Sequence, residues 1–276
     1  MSFYYNIASG SKGNAALVAD EHTCVLIDAG TSARKIVSAM REIGLGAGDI
    51  TALLITHEHT DHIAALEVLA KKADFPIYAS GGTAFAVLKK LPHLYERLHA
   101  LDCGVAFRAG NFTVTAYPTP HDAMESTAYI IDTGSGTLGC ATDLGYMPAS
   151  LLSRLKGLDL VVLEANHDET MLKNGPYPYP LKQRILGTRG HLSNAGCACA
   201  AVELAESGTE GLVLAHLSEE NNLPELALRT VEDMLAVLDG HTMRVALASQ
   251  ERPTGPIALR SKERGVRCVR NEEKCR

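Results

Sequence analysis

The chain has 276 residues, 46% of them hydrophobic, and a formal net charge of −6. This length and apolar content are typical of one α/β domain with a substantial core. The negative charge argues against a protein that binds nucleic acid over its whole surface, although a local basic groove is compatible with it.

Two further absences limit the protein class. No apolar run approaches the roughly 18 residues needed to cross a bilayer, and the N-terminus lacks a basic stretch followed by an apolar one. We therefore expect a cytoplasmic protein with no membrane contact. Seven cysteines without paired spacing indicate reduced, buried thiols, such as Cys24, Cys103 and Cys140, rather than disulfides.

The first third of the chain alternates between strand and helix patterns. Short apolar runs predict strands at residues 4–8, 15–19, 24–27, 53–56 and 76–79. Amphipathic periodicity predicts helices at residues 32–43, 61–72 and 82–90.

The middle of the chain changes character, because β-rich runs separated by Gly and Pro turns indicate an antiparallel meander. These runs are residues 112–117, 127–132 and 137–141. The alternation then returns, with helices predicted at 149–155, 194–206 and 224–238 and strands at 158–164, 211–215 and 245–247.

Strand-rich blocks that carry helices at both ends of the sequence favour an α/β (α+β) fold of four layers. We expect an αββα sandwich, in which two mixed sheets pack face to face and helices cover the outer faces. We place this domain at residues 1–248. Residues 249–276, basic towards their end, are expected to form a poorly ordered or peripheral tail.

A dense cluster of metal-binding side chains follows the apolar run at residues 52–55. It contains His57, His59, Asp61 and His62. Alternate residues of an extended segment face the same way, so His57 and His59 can converge on one cation while Asp61 and His62 begin the next turn towards another. The competing interpretation is a set of surface histidines at a helix start capped by Asp61.

Further donors recur where predicted strands end. His121, Asp143 and His216 each lie just beyond a strand. His57-x-His59-x-Asp61-His62, followed by these three residues in that order, is similar to the metallo-β-lactamase-fold hydrolase superfamily.

More narrowly, the chain resembles the YycJ/WalJ-like exonuclease branch of that superfamily. This resemblance rests on five segments: ASGSKGN at 8–14, NHD at 166–168, LKQRIL at 181–186, GHLSN at 190–194 and HLSEENN at 216–222. It extends to about residue 247.

The resemblance implies a site for two divalent metal ions. His57, His59 and His121 would hold the first, Asp61, His62 and His216 the second, and Asp143 would bridge both. Imidazole and carboxylate ligands without thiolate suit zinc, and also manganese or iron; we expect zinc.

Catalytic roles follow from the same resemblance. A hydroxide shared by the metals would attack phosphorus, with Asp61 orienting it. His191 occupies the position of the general acid, and Glu164 would orient His191. The competing role for His191 is structural, beside a helix cap at Ser193 or Asn194. His167, next to Asp168, and Asp28 are expected to lie beside the metal ligands and support them.

Substrate contacts are assigned on weaker signals. Ser9, Ser11 and Asn14 lie in a glycine-broken loop whose hydroxyl and N–H groups suit a phosphate, and Ser193 and Asn194 are assigned with them. Lys182 and Arg184 precede His191 and suit a DNA backbone, although solvated surface charge explains them equally well.

We therefore expect a metal-dependent phosphodiesterase, a 5′-to-3′ exonuclease acting on single-stranded or end-exposed DNA. One alternative keeps the metals but acts on RNA ends, small cyclic phosphodiesters or thioesters. Another is a non-catalytic, metal-binding regulatory protein. The sequence leaves the oligomeric state open.

Overall fold

Two seven-stranded sheets form the frame of the protein in a computed structural model that describes residues 1–260. In the first sheet the strand order is β14-β1-β2-β3-β4-β5-β6, and in the second it is β13-β12-β11-β10-β9-β8-β7. The strands of the first sheet are β1 Phe3–Ala8, β2 Ala15–Ala19, β3 Cys24–Ile27, β4 Ala52–Leu54, β5 Ile77–Ser80, β6 Leu98–Leu101 and β14 Thr254–Ala258. Those of the second are β7 Ala106–Ala109, β8 Phe112–Pro118, β9 Thr127–Asp132, β10 Thr137–Ala141, β11 Leu160–Glu164, β12 Gly211–Ala215 and β13 Arg244–Leu247.

Each sheet has an antiparallel part and a parallel part. Strands β3 to β6 run parallel to one another, and so do β10 to β13. The parallel strands are short and apolar because both of their faces are covered. Their carboxyl ends, where metal donors follow in the sequence, are therefore the edges that matter for function.

Helices cover the outer face of each sheet. They are α1 Ala33–Glu42, α2 Thr60–Ile63, α3 Leu66–Lys72, α4 Gly81–Lys90, α5 Ala149–Leu155, α6 Glu169–Asn174, α7 Tyr179–Leu186, α8 Asn194–Glu206 and α9 Pro224–Leu235. Short 3-10 turns lie at Ala47–Asp49 and Pro92–Leu94. No helix among residues 1–260 has the length and apolar character that a bilayer crossing requires.

The core has three parts, which match a four-layer sandwich. One cluster packs α1, α3 and α4 on the first sheet, and another packs α5, α8 and α9 on the second. The third lies between the sheets and takes residues from both, such as Leu54 and Val114. The predicted αββα arrangement is confirmed.

Several local predictions need correction. The helix expected at 61–72 is two helices. The Ala65 N–H donates to the Ala29 carbonyl, at 2.7 Å, instead of to a carbonyl of the preceding helical turn. Helices α6 and α7 and strands β6 and β7 have no counterpart in the predicted elements. Cys24 and Cys140 are buried as expected, whereas Cys103 is exposed.

The domain boundary after residue 248 is also corrected. Strand β14 pairs antiparallel with β1, and Tyr4 lies opposite Ile257. Residues 254–258 therefore belong to the first sheet, because β1 offers an edge that sequence periodicity cannot reveal. The rest of the expected tail, residues 261–276, lies outside the described residues.

The packing between the sheets predicts that two phenylalanine-to-alanine substitutions will differ in their effect on stability. Phe112 is fully buried there, so Phe112→Ala should lower the free energy of unfolding by about 3–5 kcal/mol, measured by urea unfolding of the metal-loaded protein. Phe85 is 64% exposed on α4, and Phe85→Ala should change it by less than about 0.5 kcal/mol. Equal effects of the two substitutions would contradict this packing.

Candidate metal centre

The metal donors of the sequence meet at one place, where strands of both sheets end. The segment after β4 contributes His57, His59, Asp61 and His62, and His121 follows β8. Asp143 follows β10, and His216 directly follows β12. The two sheets face each other, so donors separated by 159 positions come into contact.

The donor atoms are spaced as ligands of shared cations are. His62 Nε2 lies 3.5 Å from Asp61 Oδ2 and 3.4 Å from Asp143 Oδ2. His216 Nε2 lies 3.7 Å from Asp61 Oδ2 and 3.6 Å from Asp143 Oδ1. His121 Nε2 lies 3.8 Å from Asp143 Oδ1. Ligand atoms on one tetrahedral zinc ion, with bonds of about 2.0–2.2 Å, stand roughly 3.4 Å apart.

Groups of donors can be separated within this centre. His57, His59 and His121 form one group, and Asp61, His62 and His216 form another. Asp143 joins His57 and His62 in a third group, and it also approaches His216. Asp143 therefore lies between the two sets of three ligands.

Unpartnered atoms show that this donor set fits a metal. His121 Nε2, His216 Nε2 and Asp143 Oδ2 are buried and have no hydrogen-bond partner among the described residues. Buried polar groups are nearly always paired, and a carboxylate oxygen can only accept. Lone pairs that converge in this way are suited to a divalent cation, with imidazole and carboxylate as its ligands.

Hydrogen bonds on the far side of each imidazole aim these nitrogens at the centre. His62 Nδ1 lies 2.8 Å from Asp28 Oδ2, and Asp28 also accepts from the Thr56 hydroxyl at 2.8 Å. His121 Nδ1 donates to the Gly190 carbonyl at 3.0 Å. Such partners fix the tautomer, so that Nε2 is the nitrogen that offers its lone pair once the ring is neutral.

Glu164 serves two histidines at once. Its Oε1 lies 2.8 Å from His191 Nδ1 and 2.9 Å from His216 Nδ1. Its Oε2 accepts from the backbone N–H groups of Leu144, at 2.9 Å, and Leu192, at 3.1 Å. Both carboxylate oxygens of Glu164 are therefore engaged, one with two imidazoles and the other with two backbone N–H groups.

Three residues of the centre have a left-handed backbone. They are Asp28, Asp143 and His216, with φ of 57°, 61° and 55°, the only non-glycine residues with positive φ among those described. Each such conformation costs on the order of 1–3 kcal/mol. Hydrogen bonds hold it in place: the Asp28 N–H donates to Leu54 at 2.8 Å, and the His216 N–H donates to Ser9 Oγ at 2.8 Å.

Charge and burial divide the histidines into two kinds. Burial lowers the pKa of His57, the neighbouring imidazoles of His62, His121 and His59 lower it further, and Asp61 only partly opposes them. Burial also lowers the pKa of His62, but Asp143 and Asp28 outweigh it and raise that pKa to about 10. Burial lowers the pKa of His216 as well, but Asp143, Asp61 and Glu164 outweigh it and raise that pKa. Without a cation, these two protonated imidazoles balance the buried carboxylates.

A cavity of about 140 Å³ opens onto the metal centre. Ser11 and Arg184, two of the residues predicted to bind substrate, line it together with Tyr177 and the donors. The guanidinium of Arg184 is paired with Asp122. Lys182 is not part of this wall, because its ammonium donates to the Lys173 carbonyl at 2.8 Å.

Four other residues predicted to bind substrate are engaged in the fold. Ser9 Oγ accepts from the His216 N–H, and buried Asn14 bonds Gly10 and lies 3.1 Å from His62 Nε2. Ser193 Oγ accepts from the Gly196 N–H as the cap of α8. Asn194 Nδ2 donates to Asn222 at 2.8 Å. These four side chains support the fold, and their assignment to the substrate stays a prediction.

Three further sequence interpretations can be compared with the site. Asp61 does not cap α2, since the cap residue is His59 and no side chain makes the capping bond. Asp28 contacts a metal-site histidine as expected. His167 does not pair with Asp168, whose carboxylate instead caps α6 through the Met171 N–H at 2.8 Å.

Sequence reasoning missed several supporting groups. Thr56 directly precedes the histidine motif, and its residue type does not indicate a role in the site. Its N–H nevertheless donates to Asp28 Oδ1 at 2.8 Å. The carbonyl of Gly190 and the N–H groups of Leu144 and Leu192 act through the backbone, and a backbone group leaves no signal in a residue pattern.

Comparison with known proteins agrees with this geometry. The profile of the Beta-lactamase superfamily domain matches residues 23–217. The chain is 34% identical to Exodeoxyribonuclease YycJ of Bacillus anthracis over 237 residues, 85% of this chain and 90% of the relative. It is 35% identical to Exodeoxyribonuclease WalJ of Streptococcus pneumoniae over 244 residues, 87% of this chain and 90% of the relative. The metallo-beta-lactamase fold protein YhfI of Bacillus subtilis superposes with a TM-score of 0.69 at 19% identity, covering 92% of this chain and all of that one.

The fold and the buried donor clusters define a metal-dependent hydrolase. The chain belongs to the metallo-β-lactamase superfamily, in which the YycJ and WalJ exodeoxyribonucleases are its relatives. The predicted resemblance is confirmed.

The raised pKa values predict that metal uptake releases protons. In the metal-free protein the pKa of His62 is raised to about 10, above the unfolded value of about 6.5, so its stabilising effect is present below pH ~6.5 and is lost as the pH rises through 10. Near pH ~8 a cation must displace this proton from the imidazole. Zinc titration in weak buffer with an indicator dye should show the release.

Two variants test where these protons come from. Asp28→Asn removes a carboxylate that holds the proton on His62, so it should reduce the release. His22→Ala changes an exposed histidine outside the centre and should leave the release unchanged. Zinc binding near pH ~8 with no proton release would contradict the charge balance described here.

Proposed function

We propose that this protein is a binuclear metal-dependent phosphodiesterase that degrades DNA from the 5′ end, acting on single-stranded or end-exposed DNA. The observation that carries the proposal is that His191, held by Glu164, lines the same cavity as four of the seven donors, His59, Asp61, Asp143 and His216. Sequence similarity to two proteins named exodeoxyribonucleases supports DNA as the substrate.

His191 is suited to act as the general acid. Burial lowers its pKa, but the adjacent Glu164 carboxylate outweighs burial and raises it, which favours the protonated ring. Nδ1 faces Glu164 at 2.8 Å, which leaves Nε2 to give a proton to the leaving oxygen. The imidazolium that remains paired with Glu164 also stabilises negative charge that develops on that oxygen.

Asp61 is suited to orient the attacking water. Its Oδ2 faces His62 and His216, and its side chain is 29% exposed towards the cavity. Burial raises the pKa of Asp61, but the nearby imidazoles of His216 and His62 outweigh burial and hold that pKa far below its usual range. The carboxylate therefore stays ionised and can accept a hydrogen bond from water at any physiological pH.

Two divalent cations would be held by the two sets of three ligands, with Asp143 between them. We expect zinc, with manganese or iron also suited to imidazole and carboxylate ligands. When bound, such a pair activates water and stabilises charge on the transferring phosphoryl group. A purely structural metal needs no bridging carboxylate and no open face, which disfavours a regulatory protein without turnover.

The direct test of the proposal is digestion of end-labelled DNA by the zinc- or manganese-loaded protein. Labels at the 5′ and 3′ ends of single- and double-stranded oligonucleotides should reveal mononucleotide release from the 5′ end. Asp143→Asn should abolish release because Asp143 faces both ligand sets. Digestion of RNA in preference to DNA, or undiminished activity of this variant, would overturn the proposal.

Removal of the general acid should slow cleavage without unfolding the protein. His191→Ala is expected to lower kcat by about 10²–10⁴-fold, the usual contribution of one positioned acid. Glu164→Gln removes the carboxylate that raises the pKa of His191, so it should lower kcat and move the basic limb of the pH–rate profile to lower pH. The matched control is His93→Ala, on an exposed 3-10 turn, which should have no effect. A lower melting temperature with full activity for His191→Ala would mean that the residue is only structural.

Arg184 should contribute one phosphate contact. Its guanidinium lines the metal cavity and is 54% exposed. Arg184→Ala should weaken binding of single-stranded DNA and reduce the slope of log K against log salt by about 1. Arg41→Ala, on the exposed last turn of α1, is the control and should leave the slope unchanged. Equal slopes for both variants and the parent would exclude Arg184 from the DNA path.

A further inference from the structure

A second cavity, of about 230 Å³, adjoins the metal centre. We call it the Tyr146 cavity; His191, Tyr146, Met147, His167 and Leu186 form the walls that matter here. His191 lines both this cavity and the metal cavity. His191, the proposed general acid, therefore lies between the metal centre and a separate cavity that has no part in the hydrolytic step described above.

His167 is a buried polar side chain without a partner in this wall. It is 1% exposed, and its Nδ1 has no hydrogen bond to any of residues 1–260. The backbone around it is fixed, since its carbonyl accepts from the Asn194 N–H at 2.9 Å. Burial lowers the pKa of His167, so the ring is neutral and offers one donor and one acceptor. An unpaired buried polar group of this kind indicates a missing partner.

Tyr146 supplies a flat apolar wall of the same cavity. Its ring is 49% exposed, and its hydroxyl has no hydrogen bond within the described part of the chain. The neighbouring Gly145 is pressed against another loop, because a Cβ there would come within 2.4 Å of the Thr188 backbone. Tyr146 is thus presented by a segment that is held in place, which lowers the entropic cost of stacking a ligand on it.

The charge of the walls indicates what the cavity takes. Among residues 1–260 no lysine or arginine lines it, and Glu169, paired with Lys173, contributes a carboxylate. A second phosphate group is therefore disfavoured. A nucleobase fits better, because its faces can stack on tyrosine and its edge can bond a neutral imidazole.

We propose that the Tyr146 cavity binds the nucleoside attached to the leaving oxygen, with the base against Tyr146 and its polar edge at His167. This rests on the proposed function. Water adds its oxygen to phosphorus, the bond from phosphorus to the leaving oxygen breaks, and the proton from His191 converts that oxygen to a hydroxyl. The oxygen that receives the proton must lie beside His191, so its nucleoside lies beside the same residue, in a cavity that His191 also lines.

The experiment compares two single-stranded DNA substrates that differ at one nucleotide. One carries a normal thymine on the nucleoside with the leaving oxygen, and the other carries an abasic tetrahydrofuran residue there. Tyr146→Ala should lower kcat/KM for the normal substrate by about 5- to 100-fold, the range expected for one stacked base. It should change cleavage of the abasic substrate little. Tyr146→Phe, which keeps the ring, should behave like the parent.

Two further variants sharpen the result. His167→Asn should reduce the preference for the normal substrate over the abasic one. Tyr95→Ala removes a 74% exposed tyrosine outside both cavities and should change neither rate. An equal loss on both substrates for Tyr146→Ala would mean that Tyr146 only positions the loop, and no loss on either would remove the cavity from the substrate path; both results overturn the proposal.

A separate binding measurement distinguishes this proposal from the proposed function. Titration with thymidine 3′-monophosphate and with abasic 1,2-dideoxyribose 3-phosphate, which carry phosphate on the oxygen that leaves when a 5′-mononucleotide is released, needs no turnover. Tyr146→Ala should weaken binding of the nucleotide and leave binding of the sugar phosphate unchanged. If the parent protein degrades no DNA, the proposed function fails. The titration then still tests whether the Tyr146 cavity binds a nucleobase. Equal affinities of the parent for the two probes would overturn the cavity proposal alone.

Discussion

The site depends on the hydrogen bonds that the Glu164 carboxylate accepts. The carboxylate is fully buried at the end of β11 and binds His216, which belongs to the metal centre, and His191, which lines the adjoining cavity. A buried carboxylate is stable only when it is well supplied with donors. Two imidazoles and two backbone N–H groups from different loops supply them here, so the loops after β10, β11 and β12 and the segment before α8 are held as one unit.

The first sheet contains a counterpart. Asp28, at the end of β3, accepts hydrogen bonds from Thr56 and holds His62, so it joins the β3 end to the metal-binding segment after β4. Each sheet thus carries one buried acid that contacts the imidazoles of the centre. The ligands converge because these two acids fix both halves of the centre before a cation arrives, and preorganised donors do not have to be ordered at the moment of binding.

This arrangement costs stability. Three left-handed residues and several unpaired buried atoms lie at the centre, and each is unfavourable in the metal-free protein. Extensive packing on both sides of each sheet offsets that cost. Such strain is concentrated where function requires a specific geometry. The unpaired ring of His167 differs from the others, since it faces a cavity outside the metal centre.

Much of the architecture and of the ligand set followed from the sequence, whereas the support of the site did not. His57, His59, Asp61 and His62 are recognisable because ligand chemistry is a property of residue type and these four are adjacent in the chain. His121, Asp143 and His216 were found because they follow strands. Tertiary structure alone decided three other features. They are the pairing of β14 with β1, the link from Glu164 to two histidines, and the engagement within the fold of Ser9, Asn14, Ser193 and Asn194. The physical reason is that contacts between residues far apart in the chain depend on how the two sheets pack, which local periodicity does not encode.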